Sequence, residues 1–206
     1  MSRISFLRTT NYELRTNAGF TLIELVVVMG IIVVVSAVTL ANNTRFGGSV
    51  LLQNLAYDIA LSIRQAQVYG ISVRSYGEGN FAAYYGMHFD INDATRYKLF
   101  ADVSGTGIYD PGKNVSPSPY VIGRGYYIDG LCAPAGADFL SCTRVDQLDV
   151  VFRRPEPDAR ITAGSGGQTC IQNPTQCREN ARIIIKSPRG DTMSVLVEGT
   201  GQISVQ

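Results

Sequence analysis

The chain has 206 residues, 45% apolar and 17% charged, with 18 Lys and Arg against 17 Asp and Glu. It is long enough to bury a core of its own, and its charge balance excludes a disordered tail and a strongly basic nucleic-acid module. With 21 Gly, 8 Pro, 11 Tyr, no Trp and one His, the body is expected to be rich in strands and turns rather than a helical bundle.

Residues 1–19 are polar and carry Arg3, Arg8 and Arg15 against Glu13. From Phe20 to Ala41 the chain is almost wholly apolar, and Glu24 is its only charge. As a helix this run is ~33 Å long, enough to cross a bilayer. Basic residues precede it and none follows until Arg45, which predicts a single span with the N-terminus in the cytoplasm and the rest outside. A secretory signal peptide also starts basic and turns apolar, but its core is about 7 to 15 residues long and ends at a small-x-small site, which Ser36-Ala37-Val38 fits only when stretched. Neither a signal peptide nor a plain signal anchor explains Glu24. A carboxylate at this depth costs about 2.5–3.5 kcal/mol on insertion scales, so it marks a functional position in need of a cation. The span offers none. A new α-amino group at Phe20, made by cutting after Gly19, would supply one in the first turn of the same helix or of a neighbour's.

Gly19-Phe20-Thr21-Leu22-Ile23-Glu24-Leu25-Val26 resembles the processing site of type IV prepilins and type II secretion pseudopilins. The resemblance implies that prepilin peptidase cuts after Gly19 on the cytoplasmic face and methylates Phe20, and that Glu24 pairs with a neighbouring subunit's terminal amine during assembly. Major pilins and the major pseudopilin usually carry a proline where this chain has Ala41, and none occurs before Pro111, which argues against a major subunit.

Asn42 to Gly48 reads as a polar, glycine-paired break where the run leaves the lipid. Ser49 is then placed to cap an amphipathic helix whose inner face holds Leu52, Leu55, Ile59, Ile63 and Ala66, ending near Gly70. Beyond it, short β-branched and aromatic runs divided by Gly, Pro, Asn and Asp predict strands at Phe81–Phe89, Tyr97–Asp102, Tyr120–Ile128, Gln147–Phe152, Ala181–Ser187, Thr192–Glu198 and Gln202–Val205. The clearest hairpin joins the runs around Ile184 and Val195 through Pro188-Arg189-Gly190-Asp191. The expected class is therefore α+β: a long N-terminal helix, transmembrane in one half and amphipathic in the other, packed on an antiparallel β-sheet head. Its organisation is a leader at 1–19, a membrane and assembly segment at 20–41, an amphipathic helix at 42–70 and a head at 71–206. Leu55 to Gln67 leading into strands, Tyr85-Gly-Met-His-Phe89, and the turn from Phe100 to Asp110 are similar to GspH/FimT-type minor pseudopilins.

Cys132, Cys142, Cys170 and Cys177 all follow the span, and no pair has C-x-x-C spacing, so in an exported segment they read as disulfides. Three pairings exist, and proximity along the chain favours Cys132 with Cys142 and Cys170 with Cys177. Asp102 to Asp110 has the outline of a calcium loop, but the closing acid would fall at Lys113, so Asp102 and Asp110 are weak metal ligands and a glycine-rich turn is the expected reading. His88 lies in an apparent strand, with Tyr84 and Gly86 on its face and Tyr85, Met87 and Phe89 on the other. It lacks a locatable nucleophile or orienting acid and reads as structural. No nucleophile elbow, phosphate loop, zinc-protease motif or dinucleotide fingerprint occurs, which argues against an enzyme and against any cofactor.

Arg144, Arg153, Arg154 and Arg160, with Arg178, Arg182, Lys186 and Arg189, are the residues from which a basic patch would be built, although acids are interspersed. Some FimT-like minor pilins are implicated in DNA uptake, so a tethered module that recognises DNA or an exported substrate stands as the alternative. The leading expectation is a minor pilin or pseudopilin in the inner membrane, its head periplasmic or extracellular. Its partners would be prepilin peptidase, membrane lipid and other pilin-like subunits.

Overall fold

A computed structural model describes residues 19–72, 74–77, 81–138, 141–164 and 169–206. The basic stretch expected to form the leader, 1–18, lies outside the described residues. The chain divides into two units, one ending at Thr44 and one beginning at Arg45.

The first unit is the start of helix α1, Leu22–Ile71. Its segment Leu22–Leu40 is long and apolar enough to cross a membrane, and none of it is buried by the protein. Val and Ile dominate this segment although they are modest helix formers in water. In lipid the backbone must satisfy its own N–H and C=O groups, and a helix does so within one segment.

The second unit is the head, and it includes the remainder of α1. The expected break at Asn42–Gly48 is absent, because α1 runs through it without interruption. Two glycines in a helix cost about 1 kcal/mol each in isolation, but tertiary contact overrides this. The Tyr126 hydroxyl donates to the Gly48 carbonyl at 3.0 Å, and the Arg189 guanidinium lies beside Gly48, 3.6 Å from where a Cβ would stand. The buried face of α1 holds Leu52, Ala56, Ile59, Ile63 and Ala66. Ala56 takes the place expected for Leu55, which is only half-buried. Gly70 closes this face because a Cβ there would sit 2.6 Å from the Phe152 carbonyl oxygen.

Ten strands follow among the described residues, forming two five-stranded sheets with antiparallel pairing throughout. The first sheet has the order β3-β2-β1-β6-β7, with β1 at Tyr84–Asp90, β2 at Arg96–Asp102, β3 at Tyr120–Val121, β6 at Gln147–Phe152 and β7 at Ala159–Ala163. The second has the order β10-β9-β8-β4-β5, with β4 at Tyr127–Cys132, β5 at Arg144–Val145, β8 at Asn180–Lys186, β9 at Thr192–Glu198 and β10 at Ile203–Val205. The α+β expectation holds, although the head contains two sheets. The run expected as one strand from Tyr120 to Ile128 is two strands in different sheets, because Gly123-Arg124-Gly125 turns the chain between them. Strands β5 and β7 were not expected, and β1 begins three residues after Phe81.

One core joins α1 to both sheets. Met87, Phe89, Leu99 and Val150 of the first sheet meet Ile183, Ile185 and Val195 of the second together with Ile59 and Ile63 of α1. Period-two alternation sends the opposite set of the first sheet outward. That outer set includes His88, Phe100, Asp102, Asp149 and Val151, and all of them are nevertheless buried.

Candidate functional site

The N-terminal segment comes first. Gly19 and Phe20 precede the helix, and Phe20 is 84% exposed. Thr21 is the cap: its Oγ1 accepts the backbone N–H of Glu24 at 3.3 Å, three residues on. Thr-x-x-Glu is capping-box spacing, and it puts the Glu24 carboxylate in the first turn of α1, where the helix dipole favours negative charge. Gly19, Phe20 and Glu24 therefore lie within six consecutive residues at an exposed helix start, followed directly by an apolar surface that the protein does not cover.

In the head, the Asp102 carboxylate is consumed by its own turn. It accepts the Gly107 N–H at 2.6 Å, the Thr106 N–H at 3.1 Å and the Ser104 hydroxyl at 3.0 Å. Gly107 has φ +78° and Gly105 φ +69°, conformations that glycine adopts without strain. Asp102 thus organises a turn through backbone donors, and Asp110 lies on the exposed side of that segment. Among the described residues no group of three or more His, Cys, Asp or Glu side chains is placed to hold a metal ion.

The lone histidine has a partner that no local pattern reveals. His88 Nδ1 lies 2.8 Å from Asp149 Oδ1 across the β1–β6 pairing, 61 residues away in sequence. Tyr109 stacks on the imidazole at 4.5 Å, and both members of the pair are buried. Burial pushes the Asp149 carboxyl above its usual range, against the opposing pull of His88 and of the Tyr109 N–H. This His–carboxylate pair, sealed under a tyrosine, ties β1, β6 and the 103–110 turn together. Nearby, a Cβ on Gly107 would come 2.9 Å from Ile171, so the turn also packs on the loop closed by Cys170–Cys177.

The disulfides are Cys132–Cys142 and Cys170–Cys177, with Cα atoms 5.6 and 4.3 Å apart. Each staples a short loop, an arrangement worth about 2–3 kcal/mol in the chain-entropy account.

Five of these basic residues have partners within the head. Arg182 is buried and structural, a correction to its place in a surface patch. It donates to the Ser194 hydroxyl at 3.1 Å, the Gln206 side-chain oxygen at 2.9 Å and the carbonyls of Ala135 and Gly136. Arg160 pairs with Glu156 at 2.9 Å and Lys186 with Asp129 at 3.3 Å. Arg144 donates to the Asp129 carbonyl and Arg154 to that of Phe81.

Residues 14–40 match the family model described as the prokaryotic N-terminal methylation motif. That motif supports a type IV pilin-like chain, a class of structural subunit rather than enzyme, and implies prepilin peptidase and other pilin subunits as partners. With the one apolar helix it fits a single-pass inner-membrane anchor. No curated protein and no solved structure matches the chain.

Proposed function

We propose that the chain is a minor pilin or pseudopilin of the GspH/FimT type, a structural subunit of a type II secretion pseudopilus or a type IV pilus. Residues 1–19 are the leader removed by prepilin peptidase, 20–41 the membrane and assembly segment, 42–70 the amphipathic continuation of the helix and 71–206 the head. The N-terminus faces the cytoplasm and the head the periplasm or the cell exterior. Phe20 becomes the methylated N-terminus, and Glu24 neutralises the terminal amine of an adjacent subunit while apolar helices pack in parallel.

The observation that carries this reading is the sequence of features at the start of α1: a Gly19–Phe20 junction, a capped helix with Glu24 in its first turn, and an uncovered apolar surface from Leu22 to Leu40. An acid so placed is costly in lipid unless a cation meets it, and cutting after Gly19 creates one. The alternative, a membrane-tethered module whose head recognises DNA or an exported substrate, must rely on Arg153, Arg178 and Arg189, since Arg182 is inside the head.

Intact mass and N-terminal sequencing of the chain from membranes of cells with and without prepilin peptidase test the proposal. The expected result is a peptidase-dependent start at Phe20 carrying the mass of one added methyl group. A start at Met1 in both strains refutes it and leaves a signal-anchored β-domain.

A further inference from the structure

The edge strand β3 and helix α1 bound a groove in the head that nothing among the described residues fills. Two adjoining pockets form it, of about 250 and about 370 Å³. Leu55, Asp58 and Val121 line both of them. One pocket extends to Leu51, Ile122 and Arg124, the other to Leu61, Tyr97 and Tyr120. From Leu51 to Leu61 the helix advances ~15 Å, about the length of four or five residues of extended chain.

The backbone on the strand side of the groove is open. Ile122 donates its N–H to the Thr95 carbonyl at 2.8 Å, and Val121 is paired with Arg96 in the next register position. In an antiparallel ladder, hydrogen-bonded and non-bonded pairs alternate, so the Val121 N–H and C=O point away from β2. Val121 is also 70% exposed, a large β-branched side chain on the two-residue edge strand. At one end of the groove Arg124 holds φ +60°, the one non-glycine with positive φ among the described residues, in the turn that leads out of β3. Asp58 sits on the helix side between the two pockets.

Together these features specify an occupant. Open main-chain groups beside two pockets, one mainly apolar and one of mixed lining, call for an extended strand whose side chains at i and i+2 enter the pockets, a mode of strand addition. Asp58 and Arg124 add a charge pattern: a basic side chain near the middle of that strand and an acidic group toward the Arg124 end. We propose that this groove is a docking site for an extended segment of a neighbouring pilin-like subunit, which adds to β3 as a further strand. The proposal rests on the reading of the chain as a filament subunit. It differs from helix packing in that it assigns the head its own main-chain contact with the next subunit.

The test uses the full chain in membranes, with the photo-crosslinking residue p-benzoyl-phenylalanine at position 121 or 61 and N-terminal processing followed in the same sample. The expected result is a chain processed at Phe20 and incorporated, crosslinked from both positions to one extended segment of another pilin-like subunit. Val121→Pro should lower incorporation roughly tenfold or more, because it removes the outward N–H that a docked strand would accept. Val121→Ile, which keeps that N–H, should be tolerated. Thermal unfolding of each variant in detergent shows that the head is intact, as the exposure of Val121 leads one to expect. A processed and incorporated chain without these crosslinks, or with Val121→Pro folded and behaving as wild type, overturns the docking site and leaves the filament reading standing. Crosslinks only to lipid or to a chain that is not pilin-like also overturn it. A chain that starts at Met1 and never incorporates overturns both readings.

Discussion

Helix α1 meets two environments, and its two halves solve the same problem by opposite means. From Leu22 to Leu40 every side chain is exposed and nearly every one is apolar, so no face is distinguished. From Leu52 to Gly70 only one face is buried, and the side chains shrink where the sheet comes close, to Ala56, Ala66 and Gly70. Uniform apolarity suits a medium that surrounds the helix, whereas a narrow stripe of fitted sizes suits a protein surface on one side. Continuity of hydrogen bonding thus joins two segments whose sequences obey different rules.

The strongest way to break this contrast is to place one charge in each half. Ile59→Asp should destabilise the head by about 4 kcal/mol or more, because Ile59 is fully buried and a carboxylate there has no partner. Val33→Asp should leave thermal unfolding of the head unchanged and weaken retention in the membrane fraction. Unfolding midpoints in detergent and membrane fractionation would check both, and equal unfolding for the two variants would erase the distinction.

A gentler test compares two glycines of the one helix. Gly70→Ala forces a methyl to within 2.6 Å of the Phe152 carbonyl oxygen and 2.7 Å of its Cβ, and should cost about 2–3 kcal/mol despite the gain in helix propensity. Gly30→Ala meets nothing within 4 Å and should leave head stability and membrane retention as they are. Thermal unfolding of the two variants provides the comparison.

An effect of similar size, confined to alkaline pH, concerns titration at the interface between α1 and the first sheet. Burial pushes Tyr97 from 10.0 up to about 12, opposed by the Ser62 hydroxyl on α1. The folded value lies above the unfolded one, so the contribution is complete below pH 10 and lost as pH rises through about 12. Stability should fall by about 2–3 kcal/mol over that interval from this group. Tyr97→Phe should flatten the decline in part, since Tyr85 and Tyr120 are also raised by burial. Denaturant midpoints measured at several alkaline pH values would show it.

Legibility in the sequence followed the range of the interaction. Gln147–Phe152 and Thr192–Glu198 rest on local periodicity and appear with the boundaries read from the residues, and the apolar run read as Phe20–Ala41 appears as Leu22–Leu40 of a helix that continues to Ile71. Strand β7 was hidden because Arg153-Arg-Pro-Glu-Pro-Asp158 precedes it and Ala-Arg-Ile-Thr-Ala has little apolar contrast, so its assignment comes from pairing with β6. The division into two sheets was equally hidden, since nothing in a strand's own residues names its neighbour. The His88–Asp149 pair depends on the register between β1 and β6, and the inward turn of Arg182 on oxygens supplied by three other segments. The start of α1 is the opposite case: Gly19, Phe20, Thr21 and Glu24 act within six residues, so the pattern itself carries the chemistry.

The stacked pair Tyr97 and Tyr120, with ring centres 4.9 Å apart and planes within 7° of parallel, gives the head an optical signature. The chain has no tryptophan, so its near-ultraviolet circular dichroism comes from tyrosine with phenylalanine and the two disulfides, and two rings held this close couple their transitions. Both rings form the wall of the groove beside α1, and the Tyr120 hydroxyl donates to Gln65 on the helix at 2.8 Å. A shift of either ring on filling of the groove would therefore be read as a change in the near-ultraviolet circular dichroism of the head.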